Sequence, residues 1–100
     1  MRDEANEDLR NLSSAALKFE VLKFLIRLER DPKVGRPLGL HGVGDLSDCR
    51  KIFFDDARHR IVYRLLPDEE APVTADVIAI GPREALAVYI NAVARLGRDV

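Results

Sequence analysis

Cations alternate with apolar residues along two strand-like segments near the middle of the chain. Residues 50–54 read RKIFF and residues 60–64 read RIVYR. Successive side chains of a strand point to opposite faces, so each segment would place cations on a defined face of a sheet. Cations held at fixed positions on a sheet can bind the phosphates of a nucleic acid. The two segments therefore predict a phosphate-binding surface.

Strand alternation divides these cations between two faces. Lys51 shares a face with Phe53, whereas Arg50 lies on the opposite face of the same strand. In the second segment Arg60 and Arg64 share a face. A sheet with one solvated face also carries scattered cations that bind nothing. The alternation alone therefore leaves phosphate binding and plain solvent exposure both open.

Arg83 and Tyr89 extend the set toward the C-terminus. Gly81-Pro82 predicts the start of a last helix, because proline suits the first helical turn. Arg83 would then lie at the N-terminus of that helix, where a bound anion gains from the helix amides and from the guanidinium. Tyr89 lies in the middle of the apolar arc of the same helix. A structural tyrosine and a substrate contact are equally compatible with that position.

The composition is that of an ordinary globular domain, and we expect one domain over residues 1–100. The net charge is −1, but residues 50–64 carry five Lys or Arg against two Asp, a local charge of +3. A bound phosphate experiences this local field. The sequence has no apolar stretch of signal-peptide or membrane length, so we expect a cytoplasmic protein with no membrane partner. Cys49 is the single cysteine, which excludes an intrachain disulfide and a cysteine-based metal cluster.

The hydrophobic pattern predicts an α+β fold with two N-terminal helices, an antiparallel sheet of about three strands and a C-terminal helix. The first helix is predicted over Asp3–Leu12, and the second is capped by a serine at 13–14 and runs to Arg30. Residues 35–44 contain glycines and a proline and predict a turn. Strands are predicted over residues 49–54, 59–66 and 73–80.

Four segments of the chain resemble the RelE/ParE superfamily of type II toxin–antitoxin toxins, and the RelE branch most closely. They are residues 48–52 (DCRKI), 60–63 (RIVY), 77–84 (VIAIGPRE) and 88–96 (VYINAVARL). The resemblance extends from Glu4 to Leu96 and is most specific from Leu46 onward. It implies a ribosome-dependent endoribonuclease for mRNA, in which the ribose 2′-hydroxyl attacks the neighbouring phosphate. The implied reaction needs no metal and no other cofactor.

The resemblance also implies roles for individual residues. Lys51 would lie near the 2′-hydroxyl, and Arg60 would hold the scissile phosphate. Arg83 would support the leaving oxygen, and Tyr89 would stack on a base or orient the substrate. The candidate RNA-binding residues beside these four are Arg50, Phe53 and Arg64.

The sequence departs from the family pattern in two places. Phe53 stands where the family has a lysine that is a leading candidate for the catalytic base, and a phenylalanine cannot transfer a proton. The usual first strand before the first helix is also missing from the sequence. Either the start of the sequence is late, or the corresponding edge of the sheet is open or filled by a partner.

The implied partners are a cognate antitoxin, in a hetero-oligomeric complex, and the ribosome with its mRNA. Two alternatives stay open. One is a ParE-like toxin that inhibits DNA gyrase, which the phenylalanine at position 53 and the near-neutral net charge favour. The other is a catalytically degenerate homologue that only binds the antitoxin.

Overall fold

Three α-helices and a four-stranded sheet make up the described part of the chain. The computed structural model describes residues 1–41, 44–72 and 74–97, with the backbone alone for residues 39–41. The elements in chain order are α1 (Asp3–Arg10), α2 (Ala15–Arg30), β1 (Arg36–His41), β2 (Gly44–Phe54), β3 (His59–Leu66), β4 (Thr74–Pro82), a 3₁₀ turn (Glu84–Leu86) and α3 (Ala87–Arg95). The strands lie in the order β1-β2-β3-β4, and all neighbours are antiparallel. The predicted α+β fold class is confirmed.

The sheet has one strand more than the sequence indicates. Residues 36–41 form β1 instead of the predicted turn, and β2 begins at Gly44 instead of Cys49. A proline is tolerated on an edge strand, because its missing N–H can face away from the partner. A register shift between Pro37 and Gly39 accommodates the irregular segment. Pairing with β2 therefore overrides the local preference of these residues for a turn.

The sheet is covered on both faces by helices from opposite ends of the chain. One core lies under α1 and α2, and the other lies under α3. Consecutive residues of β3 enter the two cores in turn: Ile61 and Tyr63 face α1 and α2, whereas Val62 faces α3. The strand period of two thus fixes which side chains of β2 and β3 lie on the α3 face.

The predicted cap and the predicted end of α2 are both confirmed. The Oγ of Ser14 accepts a hydrogen bond from the N–H of Leu17 at 3.1 Å and so caps α2. The helix ends at Arg30, two residues before Pro32, as expected from the restriction that proline places on the residue before it. None of the described helices has the length and apolarity needed to cross a bilayer.

Tyr63 fixes the point at which β1 begins. The N–H of Gly35 donates to the Tyr63 hydroxyl at 2.9 Å, and this hydroxyl donates to the Pro32 carbonyl at 2.8 Å. A Cβ on residue 35 would lie 2.6 Å from the same hydroxyl oxygen. Only glycine therefore allows this close approach, and the contact sets the position of Arg36, the first residue of β1.

A two-residue clamp joins α1, β4 and α3. The guanidinium of Arg95 donates to both carboxylate oxygens of Asp8, at 2.6 Å and 3.0 Å, and to the Ile78 carbonyl at 3.0 Å. Asp8 also accepts a hydrogen bond from the N–H of Ile80 at 2.9 Å. The hydrogen bond to Asp8 raises the pKa of Arg95. The clamp thus fixes the C-terminal end of α3 against the sheet and satisfies backbone groups of β4.

Replacing Arg95 by methionine is expected to lower the free energy of unfolding by about 2 kcal/mol. The change leaves a largely buried Asp8 carboxylate without its cation, and breaking one partner of such a pair is costly. Both side chains of the pair are only 16–17% exposed. Urea unfolding measures the effect. The matched control is Arg10→Met, whose pair with Glu7 is exposed on both sides and should contribute less than about 0.5 kcal/mol. Equal losses in the two variants would contradict a structural clamp.

Candidate active site

The face of the sheet that carries Lys51 and Phe53 also carries two arginines from neighbouring strands. Lys51 lies directly opposite Arg36 of β1, and Phe53 lies directly opposite Arg60 of β3. Because Lys51 and Phe53 are two residues apart, all four side chains project from the same side of the sheet. The register of three strands thus brings three cations together around one aromatic residue.

The ring of Phe53 contacts all three cations. The Arg60 Cζ lies 4.1 Å from the ring centroid, the Lys51 Nζ lies 5.2 Å from it, and the Arg36 Cζ lies 5.8 Å from it. These distances are within the range of cation–π interactions. Phe53 is 36% exposed, so the ring forms part of the protein surface. We call Arg36, Lys51, Phe53 and Arg60 the cation cluster.

Arg60 is the buried member of the cluster, with 6% of its surface exposed. Its Nε donates to the Tyr89 hydroxyl at 3.1 Å, and its Nη1 donates to the carbonyls of Ala57 and His59. These bonds fix the guanidinium against α3 and the residues around the β2–β3 turn. They use Nε and Nη1, so the Nη2 donors are left for a further acceptor. A rigid guanidinium of this kind suits a phosphate oxygen.

Tyr89 contacts the cluster through its hydroxyl, which accepts the hydrogen bond from the Nε of Arg60. The residue is 3% exposed and belongs to the core under α3. Its ring is therefore unavailable for stacking on a base, and its hydroxyl orients a neighbouring side chain instead. The neighbour is Arg60, and a catalytic role for Tyr89 stays a prediction.

The cations around Lys51 change its acidity. Burial lowers the pKa of Lys51 most, and the charges of Arg60, Arg36 and Arg83 lower it further. A lysine with a lowered pKa has a larger fraction of neutral amine at a given pH, and the neutral amine can accept a proton. Lys51 is therefore the one member of the cluster that combines proximity to cations with the capacity to act as a base.

Arg83 lies beside the cluster but not where the sequence places it. It was expected at the N-terminus of the last helix, whereas β4 extends through Pro82 and α3 begins only at Ala87. A 3₁₀ turn with positive φ at Ala85 and Leu86 intervenes. The N–H of Arg83 donates to the Arg58 carbonyl at 2.9 Å, so its backbone is tied to the β2–β3 turn. Arg83 is thus the N-cap residue of the 3₁₀ turn, and its exposed side chain adds charge from that point, ahead of α3 itself.

Two cavities meet at the cluster. The larger has a volume of about 700 Å³ and is lined by residues 56–60 and 82–84. The smaller, of about 290 Å³, is lined by residues from α2, β1 and β2 that include Arg36, Lys51 and Phe53. Arg60 lines the larger cavity and Phe53 the smaller, and the two side chains are in contact. The cluster therefore lies between the two cavities, and we call the cluster with these two cavities the groove.

Four cations of this groove have no acidic partner among the described residues. No described carboxylate lies within 4.0 Å of the side-chain nitrogens of Arg36, Lys51, Arg60 or Arg83. Elsewhere in the same part of the chain, partly buried arginines such as Arg50, Arg64 and Arg95 are paired with carboxylates. The groove is thus suited to bind an anion.

Arg50 and Arg64 are not brought into the cluster. Arg50 lies on the opposite face of β2, where it donates to both carboxylate oxygens of Glu69 and to the carbonyls of Lys33 and Gly35. The hydrogen bond to Glu69 raises its pKa. Arg64 pairs with Asp76 at 3.3 Å. Both arginines stabilise loops and strand ends in this structure, and their contact with RNA stays a prediction.

Arg36 is the residue that the sequence analysis missed. Its neighbours Gly35 and Pro37 indicate a turn, so nothing local placed it on a strand. Only the pairing of strands reveals its role, because an edge strand next to β2 places residue 36 opposite residue 51. The described residues contain no group of three or more His, Cys, Asp or Glu side chains placed to hold a metal ion.

No protein-family model and no curated protein sequence matches this chain. Solved structures do match it. A free mutant of the E. coli toxin RelE, with two arginines changed to alanine, superposes with a TM-score of 0.66 at 27% identity, over 95% of this chain and 92% of that chain. The isolated E. coli RelE toxin superposes with a TM-score of 0.62 at 25% identity, over 95% and 93%.

The chain has the RelE-like toxin fold. A further match is the same E. coli RelE mutant in complex with a peptide of the antitoxin RelB. It has a TM-score of 0.60 at 26% identity, over 91% of this chain and 87% of that chain. The resemblance that the sequence predicts is thereby confirmed for the fold over nearly the whole chain. Within the RelE-like fold, the cation cluster lies on the sheet face that packs against the C-terminal helix α3.

Proposed function

We propose that this chain is the toxin of a type II toxin–antitoxin system and a ribosome-dependent mRNA endoribonuclease, folded as a single RelE-like domain. The observation that carries the proposal is the cation cluster, in which a lysine with a lowered pKa lies among arginines that have no described acidic partner. An anion-binding groove with a built-in base is what cleavage of a phosphodiester through its own 2′-hydroxyl requires.

In the proposed reaction, the neutral amine of Lys51 accepts the proton of the ribose 2′-hydroxyl. The O2′–P bond forms and the P–O5′ bond breaks, which yields a 2′,3′-cyclic phosphate and a 5′-hydroxyl. The guanidinium of Arg60 stabilises the charge that develops on the phosphate oxygens. Arg83 stabilises the charge on the leaving 5′-oxygen while keeping its own proton, and solvent supplies the proton for that oxygen.

Two further groups support this arrangement. Tyr89 holds Arg60 in place through its hydroxyl, so it acts as a positioning residue. The exposed part of the Phe53 ring offers a surface on which a base next to the scissile phosphate can stack. Phe53 has no ionisable group, and arginines stay protonated. Lys51 is therefore the member of the cluster that can serve as the base.

The proposed partners follow from the fold and the groove. The groove is open and cationic, as expected for a strand of mRNA presented by the ribosome. One of the structural neighbours is a RelE–antitoxin complex, and we extend that type of partner to this chain as a cognate antitoxin in a hetero-oligomeric complex.

The test is induction of the chain in bacteria, followed by mapping of the 5′ ends of a translated message. Wild type should arrest growth and produce cuts within the translated region. Arg83→Ala should reduce cleavage by roughly 10- to 100-fold, because it removes one of the cations that stabilise the negative charge developing in the reaction. Arg10→Ala, a change of an exposed arginine on α1, should leave cleavage intact.

The same experiment separates the rivals. Growth arrest without cuts, together with inhibition of supercoiling by purified DNA gyrase, would support a ParE-like inhibitor. Tight binding of an antitoxin without growth arrest would support a degenerate homologue. Either outcome would refute the nuclease proposal.

A further inference from the structure

The arrangement of the cation cluster is unfavourable in the absence of its ligand. Arg36 and Lys51 are cross-strand partners that lie directly opposite each other, and like charges at such positions destabilise a sheet. Arg60 adds a third positive charge on the same face, and none of the three has a described carboxylate within 4.0 Å. Some other group must offset the repulsion, or the side chains would diverge into solvent.

Among the described aromatic residues, Phe53 is the one whose ring lies within 5.8 Å of all three cations. The ring carries negative charge density on its faces, which attracts a guanidinium or an ammonium. Arg60 stacks closest, at 4.1 Å from the centroid, and is held there by its cross-strand position. The two longer contacts are to Lys51, two residues earlier on β2, and to Arg36 of β1. The ring thus has cations from β1, β2 and β3 around it.

We propose that Phe53 is a positioning residue whose ring assembles Arg36, Lys51 and Arg60 into one phosphate-binding site. Its role in RNA cleavage rests on the proposed function, whereas its role in anion binding does not. A lysine at this position would add a fourth charge and a second possible base. The phenylalanine instead keeps the three existing cations close together and leaves the proton transfer to Lys51.

If the proposal is right, the charge of Arg36 lowers the pKa of Lys51 strongly only while the Phe53 ring is present. If the ring holds Arg36 beside Lys51, then Arg36→Gln removes a nearby charge and raises the pKa of Lys51. If the ring is replaced by methionine, the Arg36 side chain moves away from Lys51. Arg36→Gln then changes the pKa of Lys51 only slightly, because the Arg36 charge is already distant. Methionine is chosen because it keeps a long apolar side chain over Lys51 and so limits the change in burial.

The experiment is an NMR titration of the Lys51 amine in four proteins: wild type, Phe53→Met, Arg36→Gln and the double variant. We expect Arg36→Gln to raise the pKa of Lys51 in wild type and to raise it by less than about half as much in Phe53→Met, a coupling between contacting residues. An equal rise in both backgrounds would overturn the proposal. Phe53→Tyr, which keeps the ring, should retain the wild-type coupling.

Binding of inorganic phosphate to the same proteins is the second measurement. Loss of the ring should weaken phosphate binding by roughly 3- to 10-fold, since each cation–π contact at a partly exposed site is worth about a factor of two to five. The matched control is Phe19→Met on α2. Phe19 is exposed and has a single cation, Lys23, at 5.2 Å from its ring, the same distance as Lys51 from Phe53. Its replacement should change neither the Lys51 pKa nor phosphate binding.

The outcomes separate this proposal from the nuclease proposal. Lost coupling and weakened phosphate binding in Phe53→Met, in a protein that cuts no message, would keep the role of Phe53 and refute the nuclease. Unchanged coupling in a protein that does cut messages would refute the role of Phe53 alone. If Phe53→Met does not fold, as judged by the amide spectrum, Phe53→Leu replaces it in the same cycle.

Discussion

Replacing Arg60 by alanine is expected to lower message cleavage on ribosomes by about 10²- to 10³-fold, the usual effect of removing one preorganised donor from a developing oxyanion. Arg60 is 6% exposed, and its guanidinium is held by Tyr89 and by the carbonyls of Ala57 and His59. No other described arginine touches the Phe53 ring as closely. Single-turnover cleavage of a message on purified ribosomes measures the loss.

The same change should also destabilise the protein, because the two carbonyls of the β2–β3 turn lose their donor. Urea unfolding therefore accompanies the kinetic measurement, and cleavage is compared at a temperature where both proteins are folded. Arg60→Lys keeps the charge but not the planar fork, and we expect it to recover only part of the rate. Arg10→Ala should match wild type. Full activity of Arg60→Ala would show that the phosphate binds elsewhere.

Replacing Lys51 by methionine is expected to reduce cleavage by about 10²- to 10⁴-fold, the usual contribution of general acid–base catalysis. Methionine has a similar length and no ionisable group. In wild type the rate should rise with pH as Lys51 loses its proton, and it should level off above the pKa of Lys51, which is lower than that of an ordinary lysine. The variant should lose this dependence. A pH–rate profile on ribosomes distinguishes a lost base from a lost charge, since Lys51→Arg keeps the charge and should be equally slow.

Lys51→Met should not lose stability, although it loses activity. Burial and the charges of Arg60, Arg36 and Arg83 lower the pKa of Lys51 in the folded protein. Between the folded and the unfolded pKa the unfolded chain binds more protons, so stability rises with pH through that window. Below the window both states are protonated, and the charged Lys51 costs stability in the fold. Lys51→Met should therefore unfold at an equal or higher urea concentration than wild type at neutral pH. A clear loss of stability would show that Lys51 is structural and not a strained base.

Arg95→Met is expected to lower the stability of the protein, whereas Lys51→Met is not. This contrast is expected when a functional site is built on a stable scaffold. The clamp between Asp8 and Arg95 contributes stability with no contact to the groove, whereas the cation cluster places like charges side by side. A cluster that is unfavourable without a ligand becomes favourable when a phosphate binds among the cations.

The sequence alone determined everything that depends on local periodicity. Helical spacing and a capping serine gave both N-terminal helices, and Leu17 to Leu28 form the apolar face of α2 as predicted. Strand alternation placed Lys51 and Phe53 on one face and Arg50 on the other. The hydrophobic pattern predicted the α+β fold class, and the structural comparisons confirm the resemblance to the RelE branch for the fold. These properties follow from periods of 3.6 and 2 along one segment, which tertiary contacts seldom change.

Only the tertiary structure decided which residues meet. Arg36 enters the site because an irregular segment with a proline is held as an edge strand by pairing with β2. Arg64 leaves it because a carboxylate of β4 lies within reach, and Arg83 approaches from the end of a strand because β4 extends two residues beyond its predicted end. Register, edge pairing and the choice of an ion-pair partner each depend on two or more segments at once. A single segment therefore cannot encode them, and they fix the contacts of the Phe53 ring on which the proposed site depends.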